Sequence, residues 1–397
     1  MPAAANTPTP AVPRTVWALG LTSLLMDVST NMVNGLLGVY MVTMMHTSVG
    51  TFGLVTGLGD ATAQIFKGVS GRWADRARSR KLLTLIGYGL SAINKPAFAL
   101  ASSPFMLLGA NVTDRLGKGI RGAPRDALIA DVVDPHNRGA AFGLRQSMDT
   151  VGAVLGPVLG TVLMAYTGGH YRTVFALATV PAVAAVLVLA LFVREPDRAE
   201  RKDEVRTTAW SDVRTLPPAF WGVVALGVVF AMARLGEGFL LLRAESVGVS
   251  ASHVPLLLAA MNVVYAGTAW PVGRLADKGL NRALRLAGLA VLVAADLTLA
   301  FAGGFWTVLA GCLLWGLQMG LTQGVLVAWV ADIVPSERRG TAFGAFAMAS
   351  GLSALLASAL AGAAWDVWGP TAVFSVGAAG AMLALGSVTL RDRRMAA

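Results

Sequence analysis

Residues 113–143 read TDRLGKGIRGAPRDALIADVVDPHNRGAAFG, and the first nineteen of them hold seven charged side chains: Asp114, Arg115, Lys118, Arg121, Arg125, Asp126 and Asp131. The chain around them is 55% hydrophobic and only 14% charged over its 397 residues. On a helix, at about 100° per residue, Asp114, Lys118, Arg121 and Arg125 fall within about 60° of one another, and Arg115, Gly119 and Asp126 form a second stripe beside them. A helix so charged in so apolar a chain must turn its charge toward a cavity, toward partner side chains or toward an aqueous rim.

Outward from this stretch the mean hydropathy is +0.63. Apolar runs of about twenty residues, the length that crosses a bilayer as a helix, recur throughout. The expected fold is an all-α polytopic membrane protein. Its twelve transmembrane helices lie near 15–45, 49–71, 82–101, 104–133, 139–166, 170–193, 217–243, 251–273, 282–302, 305–333, 340–364 and 370–390. These spans divide into a cytoplasmic tail (1–14), a six-helix bundle (15–193), a polar linker (194–216), a second six-helix bundle (217–390) and a C-terminal tail (391–397).

Of the 32 Lys and Arg residues, 22 fall in the tails, the linker and alternate loops, and two, Arg172 and Arg243, fall in the other loops. This asymmetry predicts that both termini are cytoplasmic, and a bacterial-type inner membrane is the expected location. It also accounts for the net charge of +10 without a nucleic-acid partner. The segment before Val16 lacks a signal-peptide pattern, so the first span is expected to serve as the insertion signal. A single cysteine, Cys312, and four scattered histidines offer neither an intramolecular disulfide nor a metal cluster, and no cofactor is expected. No nucleophile–base pair stands out, which argues against an enzyme.

Eight cations lie inside spans, four or more residues from either end: Lys67, Lys95, Arg115, Lys118, Arg121, Arg125, Arg145 and Arg234. Span 1 carries Ser23, Asp27, Asn31 and Asn34 on one stripe, a face that lipid does not tolerate. Span 2 repeats the device with Asp60, Gln64, Lys67 and Gly71; Asp60 and Lys67 are two turns apart, so each needs a partner on another helix. Asn94, Lys95 and Pro96 occupy span 3, where the proline removes a backbone hydrogen bond beside a charge. In span 5, Arg145 and Asp149 at i,i+4 are placed to neutralise each other, and Gly152, Gly156 and Gly160, with Pro157, leave a bare strip for another helix. Arg234 and Glu237 at i,i+3 mark span 7, and Asp296 stands alone in span 9.

The second half repeats the first. Gly71-Arg72-Trp73-Ala74-Asp75-Arg76 returns as Gly273-Arg274-Leu275-Ala276-Asp277-Lys278, and Ala130-Asp131 with Arg138-Gly139-Ala140-Ala141-Phe142-Gly143 returns as Ala331-Asp332 with Arg339-Gly340-Thr341-Ala342-Phe343-Gly344. Two motifs returning at almost the same offset imply duplication of a six-span unit into two pseudo-symmetric bundles, with function expected between them. The charged stripe Asp114, Lys118, Arg121 and Arg125 maps onto Trp315, Met319, Thr322 and Leu326, so one wall is charged and its counterpart aromatic and apolar.

With these motifs the chain resembles the major facilitator superfamily over all twelve spans. Gly71, Asp75, Arg76, Arg80 and Lys81 match its loop motif between spans 2 and 3, with Arg78 in place of the usual second glycine. Arg115 and Gly119 match its span 4 motif, with Lys118 where glutamine is common. Gly143, Gly152, Gly156, Pro157 and Gly160 match the span 5 motif associated with proton antiporters, with Thr161 replacing its last glycine. The resemblance implies alternating access between two rocking bundles, a cytoplasmic latch at Gly71, Asp75 and Arg76, and export in exchange for protons.

The expectation is therefore a secondary active transporter, a proton-coupled exporter of small amphipathic organic compounds, working as a monomer in the lipid bilayer. The alternative is a proton symporter importing an anionic metabolite or chelate, since the first six spans hold, away from their ends, seven cations against five acids, Asp27, Asp60, Asp114, Asp126 and Asp149. Asp27 is the leading proton carrier, because a carboxyl in a low-dielectric cavity exchanges its proton when a nearby cation moves; Arg115 tunes it, and Asp60 and Glu237 are the other candidates. Hydrogen bonding of Asp27 to Asn31 or Asn34 is the competing account. Substrate contacts are expected from Asn31, Asn34, Gln64, Lys118, Arg121, Arg234, Trp315, Gln318 and Thr322, although helix packing explains the tryptophan equally well. Gating is expected from Gly71, Asp75, Arg76, Asp131, Arg138, Gly152, Gly156, Pro157, Gly160, Asp277, Asp332 and Arg339.

Overall fold

The computed structural model describes residues 13–77, 79–134, 138–195, 216–334 and 339–396, with some side chains inside these ranges outside the description. The first half contains α1 (Arg14–Val39), α2 (Val49–Arg76), α3 (Arg80–Leu100), α4 (Pro104–Val132), α5 (Arg138–Tyr166), α6 (Tyr171–Leu177) and α7 (Thr179–Phe192). The second half contains α8 (Pro218–Ala233), α9 (Glu237–Ser246), α10 (Val254–Leu275), α11 (Asn281–Ala300), α12 (Phe305–Ile333) and α13 (Arg339–Ala396). α6 with α7 forms one span and α8 with α9 another, while α13 holds two, separated at Gly369, whose φ of 77° suits glycine. The twelve-span, two-bundle architecture follows.

Local chemistry fixes several helix starts. Ser48, Ser79 and Ser103 cap α2, α3 and α4, each side chain accepting from the backbone N–H three residues on, and Pro104 opens α4 where its missing N–H costs nothing. Glu195, just beyond α7, accepts from the Arg80 N–H at 2.7 Å and so ties the linker's first residues to the start of α3.

α3 and α4 begin at 80 and 104, α11 and α12 at 281 and 305, so the 201-residue repeat seen in the motifs holds for whole helices. α2, α3 and α4 are absent from the eight stretches whose length and hydropathy alone qualify them as spans. These three helices carry Asp60, Lys67, Lys95, Asp114, Arg115, Lys118, Arg121 and Arg125.

The structure departs from the hydropathy reading at two places. Span 7, expected to be continuous over 217–243, is interrupted at 234–236, and the last helix runs on through 391–396, which composition had assigned to a tail. An interruption at membrane depth is tolerated where the freed backbone borders protein or a water-filled cavity, and Arg234, Leu235, Gly236 and Glu237 all border one.

The cores show how the bundles meet. One large cluster joins both halves at one end, with Leu37, Val49 and Phe52 from the first half packed with Phe239, Leu242 and Leu258 from the second. At the opposite end each half keeps its own core, Val16, Leu19, Leu128 and Leu189 in the first, Phe220, Val223, Val330 and Ala342 in the second. The bundles are fused at one end and parted at the other.

Candidate functional site

Between the parted bundles lies a cavity of about 1110 Å³, continuous with a side lobe of about 440 Å³ through shared walls at Asp27, Gln64, Lys67, Lys118 and Asn262. It narrows toward the fused end, where Phe52 and Phe239 meet edge to face at 5.6 Å. There both oxygens of Asp366 accept from the first N–H groups of α2, Val49 and Gly50, each at 2.8 Å. A carboxylate at a helix N-terminus also complements the positive end of the helix dipole. This contact joins the end of span 11 to the start of span 2 and closes the seam.

The α1 wall presents Asp27, Asn31 and Asn34 to the cavity. Their position depends on α5. A Cβ on Gly152 would stand 2.6 Å from the Leu24 carbonyl oxygen and 2.9 Å from the Asp27 Cβ, and one on Gly156 would stand 2.8 Å from the Asn31 Cβ. Only glycine allows α5 to support the polar stripe from behind at this distance. Gly160 is looser, with its nearest neighbour at 3.6 Å, and Pro157 lies buried in the same helix. The Asn31 side chain donates to the backbone carbonyl of Asp27, not to its carboxylate. Among the described residues the Asp27 carboxylate has no hydrogen bond or ion pair.

The α2–α4 wall divides the charged stripe three ways. Arg115 faces the cavity and lies 3.5 Å from Asp60 on α2, and Lys118 faces it without an ion pair among the described residues. Asp114 turns away, into a buried pair with Lys95 of α3 at 2.9 Å, where Lys95 also donates to Thr30. Arg121 borders the side lobe, yet its guanidinium donates to Ser91 at 2.7 Å and lies over the Tyr88 ring at 4.6 Å. This corrects the expectation of a single cavity-facing wall: α3 packs along α4 and takes two of the four side chains.

Arg125 and Arg145 share Asp126 and Asp149 in the side lobe, at 3.2 Å and 3.0 Å from Asp126. Arg145 pairs with Asp149 within its own helix, as the i,i+4 spacing predicts. Arg125 also donates to Ser23 of α1 at 2.7 Å, so this network ties α1, α4 and α5 together.

The second half contributes Arg234 and Glu237 from the interruption and Gln318 and Thr322 from α12. Gln318 donates to Thr322 at 3.0 Å. Trp315 does not line the cavity: it is fully buried in the shared core, so packing, the competing account, describes its position. Glu237 is the first residue of α9, capped by Gly236, so it and Arg234 are not one helical turn apart as expected but lie on either side of a bend.

Residues not singled out from sequence also line the cavity. Phe52, Phe230, Phe343 and Phe346 supply an aromatic part, and Asn262 of α10 reaches across the bundle interface to the Ala153 carbonyl at 3.4 Å. A lone asparagine in an apolar span was the signal available for Asn262. Gln64 and Gly71 border the cavity on α2, and Asp131 pairs with Arg80 outside it. The side chains of Asp75, Arg76, Arg138, Asp277, Asp332 and Arg339 lie outside the described residues.

The cavity thus has Lys67, Lys118 and Arg234 facing Asp27 and Glu237, with no ion pair within 4.0 Å among these five in the described residues. It is roomy enough for a drug-sized molecule, and it is both charged and partly aromatic.

The sequence profile described as Major Facilitator Superfamily matches residues 19–244 and 238–396. An uncharacterized protein of Mycobacterium bovis is 30% identical over 359 residues, covering 89% of this chain and 87% of that one. Multidrug resistance protein 1 of Bacillus subtilis is 24% identical over 226 residues, 56% of this chain and 57% of its own. Among solved structures, a nucleoside transporter, NupG, superposes with a TM-score of 0.81 at 13% identity, over 95% of this chain and 99% of that one. The profile spans both bundles, and the twelve-helix architecture agrees with it: the chain belongs to the Major Facilitator Superfamily of membrane transporters, and it is not an enzyme.

Proposed function

We propose that this transporter is a proton-coupled exporter of small amphipathic organic compounds, residing as a monomer in the bacterial inner membrane with both termini in the cytoplasm. In that orientation the parted end opens to the cytoplasm, ready to load cargo from inside. The observation that carries the reading is the Asp27 carboxylate, free of partners in the described residues, facing the cavity across from Lys118 and supported by the glycine face of α5. A carboxyl so placed exchanges its proton as the cation opposite approaches or withdraws. The mixed aromatic and polar lining and the partial similarity to a multidrug resistance protein support amphipathic cargo.

The test is transport in inside-out vesicles with a lumen-acidic gradient. Accumulation of organic dyes or drugs that collapses with the gradient, and is lost in Asp27→Asn, is the expected result. An Asp27→Asn protein that couples fully to protons removes the carrier assignment. A second reading, proton-driven import of an anionic metabolite, is favoured by the excess of Lys67, Lys118 and Arg234 over Asp27 and Glu237. Uptake of organic anions into whole cells, with no accumulation in inside-out vesicles, would select it.

A further inference from the structure

The interruption between α8 and α9 has a neighbour on the side away from the cavity. Asp296 of α11 has no exposed surface, and neither of its carboxylate oxygens has a hydrogen-bond partner. It borders neither the cavity nor the side lobe. A Cβ on Gly377 of α13 would stand 2.9 Å from its Oδ2 and 3.5 Å from the carbonyl oxygen of Ala233, the last residue of α8. One residue beyond Ala233 the chain leaves the helix, and Arg234 looks into the cavity. Asp296 therefore stands directly behind the bend whose front carries Arg234 and Glu237.

The internal repeat gives this position a second meaning. The 201-residue shift that carries α3 and α4 onto α11 and α12 carries Lys95 onto Asp296 and Asp114 onto Trp315. In the first half these two positions form a buried ion pair at 2.9 Å. In the second half they hold an acid and an indole, both fully buried, and the Trp315 Nε1 also lacks a partner. An acceptor and a donor thus occupy positions that the fold brings together in its other half, and neither is used.

Among the described side chains, the ionisable groups on the elements packed around α11 are Cys312 on α12, Arg234, Glu237, Arg243 and Glu245 on α8–α9 and its bend, Lys278 in the turn that leads into α11, and Asp366 on α13. Arg243 is held by the carbonyls of Leu299, Ala300 and Ala302, Asp366 by α2, and Arg282 and Arg285 lie at the far end of α11 itself. None forms an ion pair with Asp296 among the described residues. An ionised carboxylate sealed without a partner costs several kcal/mol, so the group is the neutral carboxylic acid here.

We infer that Asp296 is a proton-binding site of the second bundle, separate from the cavity, which holds its proton in this conformation and releases it when the α8–α9 bend moves. In that step the carboxyl O–H bond breaks, the proton passes to water admitted at the bend, and the remaining carboxylate accepts a hydrogen bond from the Trp315 indole N–H. The site deepens the proton-coupled reading and rests on it only for the use of the released proton in transport.

Infrared difference spectroscopy of the purified protein in lipid nanodiscs, wild type against Asp296→Asn, tests the site. The expected result is a protonated-carboxyl carbonyl band, still present across about pH 6 to 7 where a solvated carboxyl is ionised, and missing from the variant. Transport by Asp296→Asn should move one proton fewer per cycle. Should that variant fail to fold, Trp315→Phe carries the test: it keeps the band and shifts the pH profile of transport, since the ionised acid has lost its donor. Absence of the band, or wild-type pH profiles and proton counts in the variants that fold, overturns the site. Asp27→Asn separates the two readings, because loss of the Asp27 assignment leaves the Asp296 band in place.

Discussion

The buried pair of Lys95 and Asp114 makes a sharp test of how this chain tolerates charge. Both side chains are almost fully enclosed, at 1% and 6% exposure, 2.9 Å apart. Asp114→Asn leaves the Lys95 ammonium in an apolar surrounding with Thr30 as its other hydrogen-bond partner, at 3.2 Å. Removing one member of a buried pair costs about 3–5 kcal/mol, whereas replacing both with apolar groups of similar volume is often neutral or stabilising. The Thr30 contact places Asp114→Asn near the lower end, at about 3 kcal/mol. Lys95→Met alone leaves the carboxylate orphaned and should cost a similar amount. The double variant Lys95→Met, Asp114→Leu should recover most of the loss. Reversible unfolding in mixed micelles, run as a double-mutant cycle, reads all three. If the double variant loses the sum of the two single losses, the pair carries no coupling and the reasoning from burial fails.

Three further outcomes are expected. Gly152→Ala puts a methyl 2.6 Å from the Leu24 carbonyl oxygen; it should cost about 1–3 kcal/mol of stability and much of the transport rate, while Gly160→Ala, with 3.6 Å of room, stays near wild type in both assays. Asp366→Ala removes two charge-assisted bonds at the fused end, each worth about 1.5–3 kcal/mol, so a cysteine placed at Thr56 in the cavity should react faster with a membrane-impermeant reagent applied from outside; an unchanged rate refutes the seal. Arg125→Ala removes the links from α4 to Ser23 of α1 and Asp149 of α5, and the contact with Asp126 beside it, and should lower the thermal midpoint more than Lys118→Ala, whose side chain faces open space; equal midpoints would show that the network contributes nothing.

Much of the site was legible in the sequence because polar residues inside apolar spans have few places to go. The stripe of Asp27, Asn31 and Asn34 reached the cavity as its spacing required, and the i,i+4 pair of Arg145 and Asp149 formed within one helix. Periodicity gives the angle of a side chain on its own helix, and it does not say which helix lies at that angle. Asp114 and Lys118 share a stripe, yet α3 takes the first and the cavity the second. The bend at Arg234 was hidden for a different reason: residues 218–246 are apolar enough to read as one span, and only Gly236 and Gly238 beside two charges hint that the backbone changes course there. Trp315 was undecidable because an indole serves a pocket wall and a core equally well.

The arrangement of the cores connects these details to movement. One core spans both bundles at the Asp366 end, and two separate cores lie at the other. Opening the fused end exposes Leu37, Phe52, Phe239 and Leu242 to solvent, at about 25 cal/mol for each Å² of apolar surface uncovered. A conformational equilibrium close enough to balance for cycling must offset this with apolar surface buried where the bundles are now parted, and Phe230, Phe343 and Phe346 on the cavity wall are placed to supply it. Asp27, Lys118, Arg234 and Glu237 border the cavity between the bundles, so on the proposed reading their protonation and the bound cargo shift the balance between the two states.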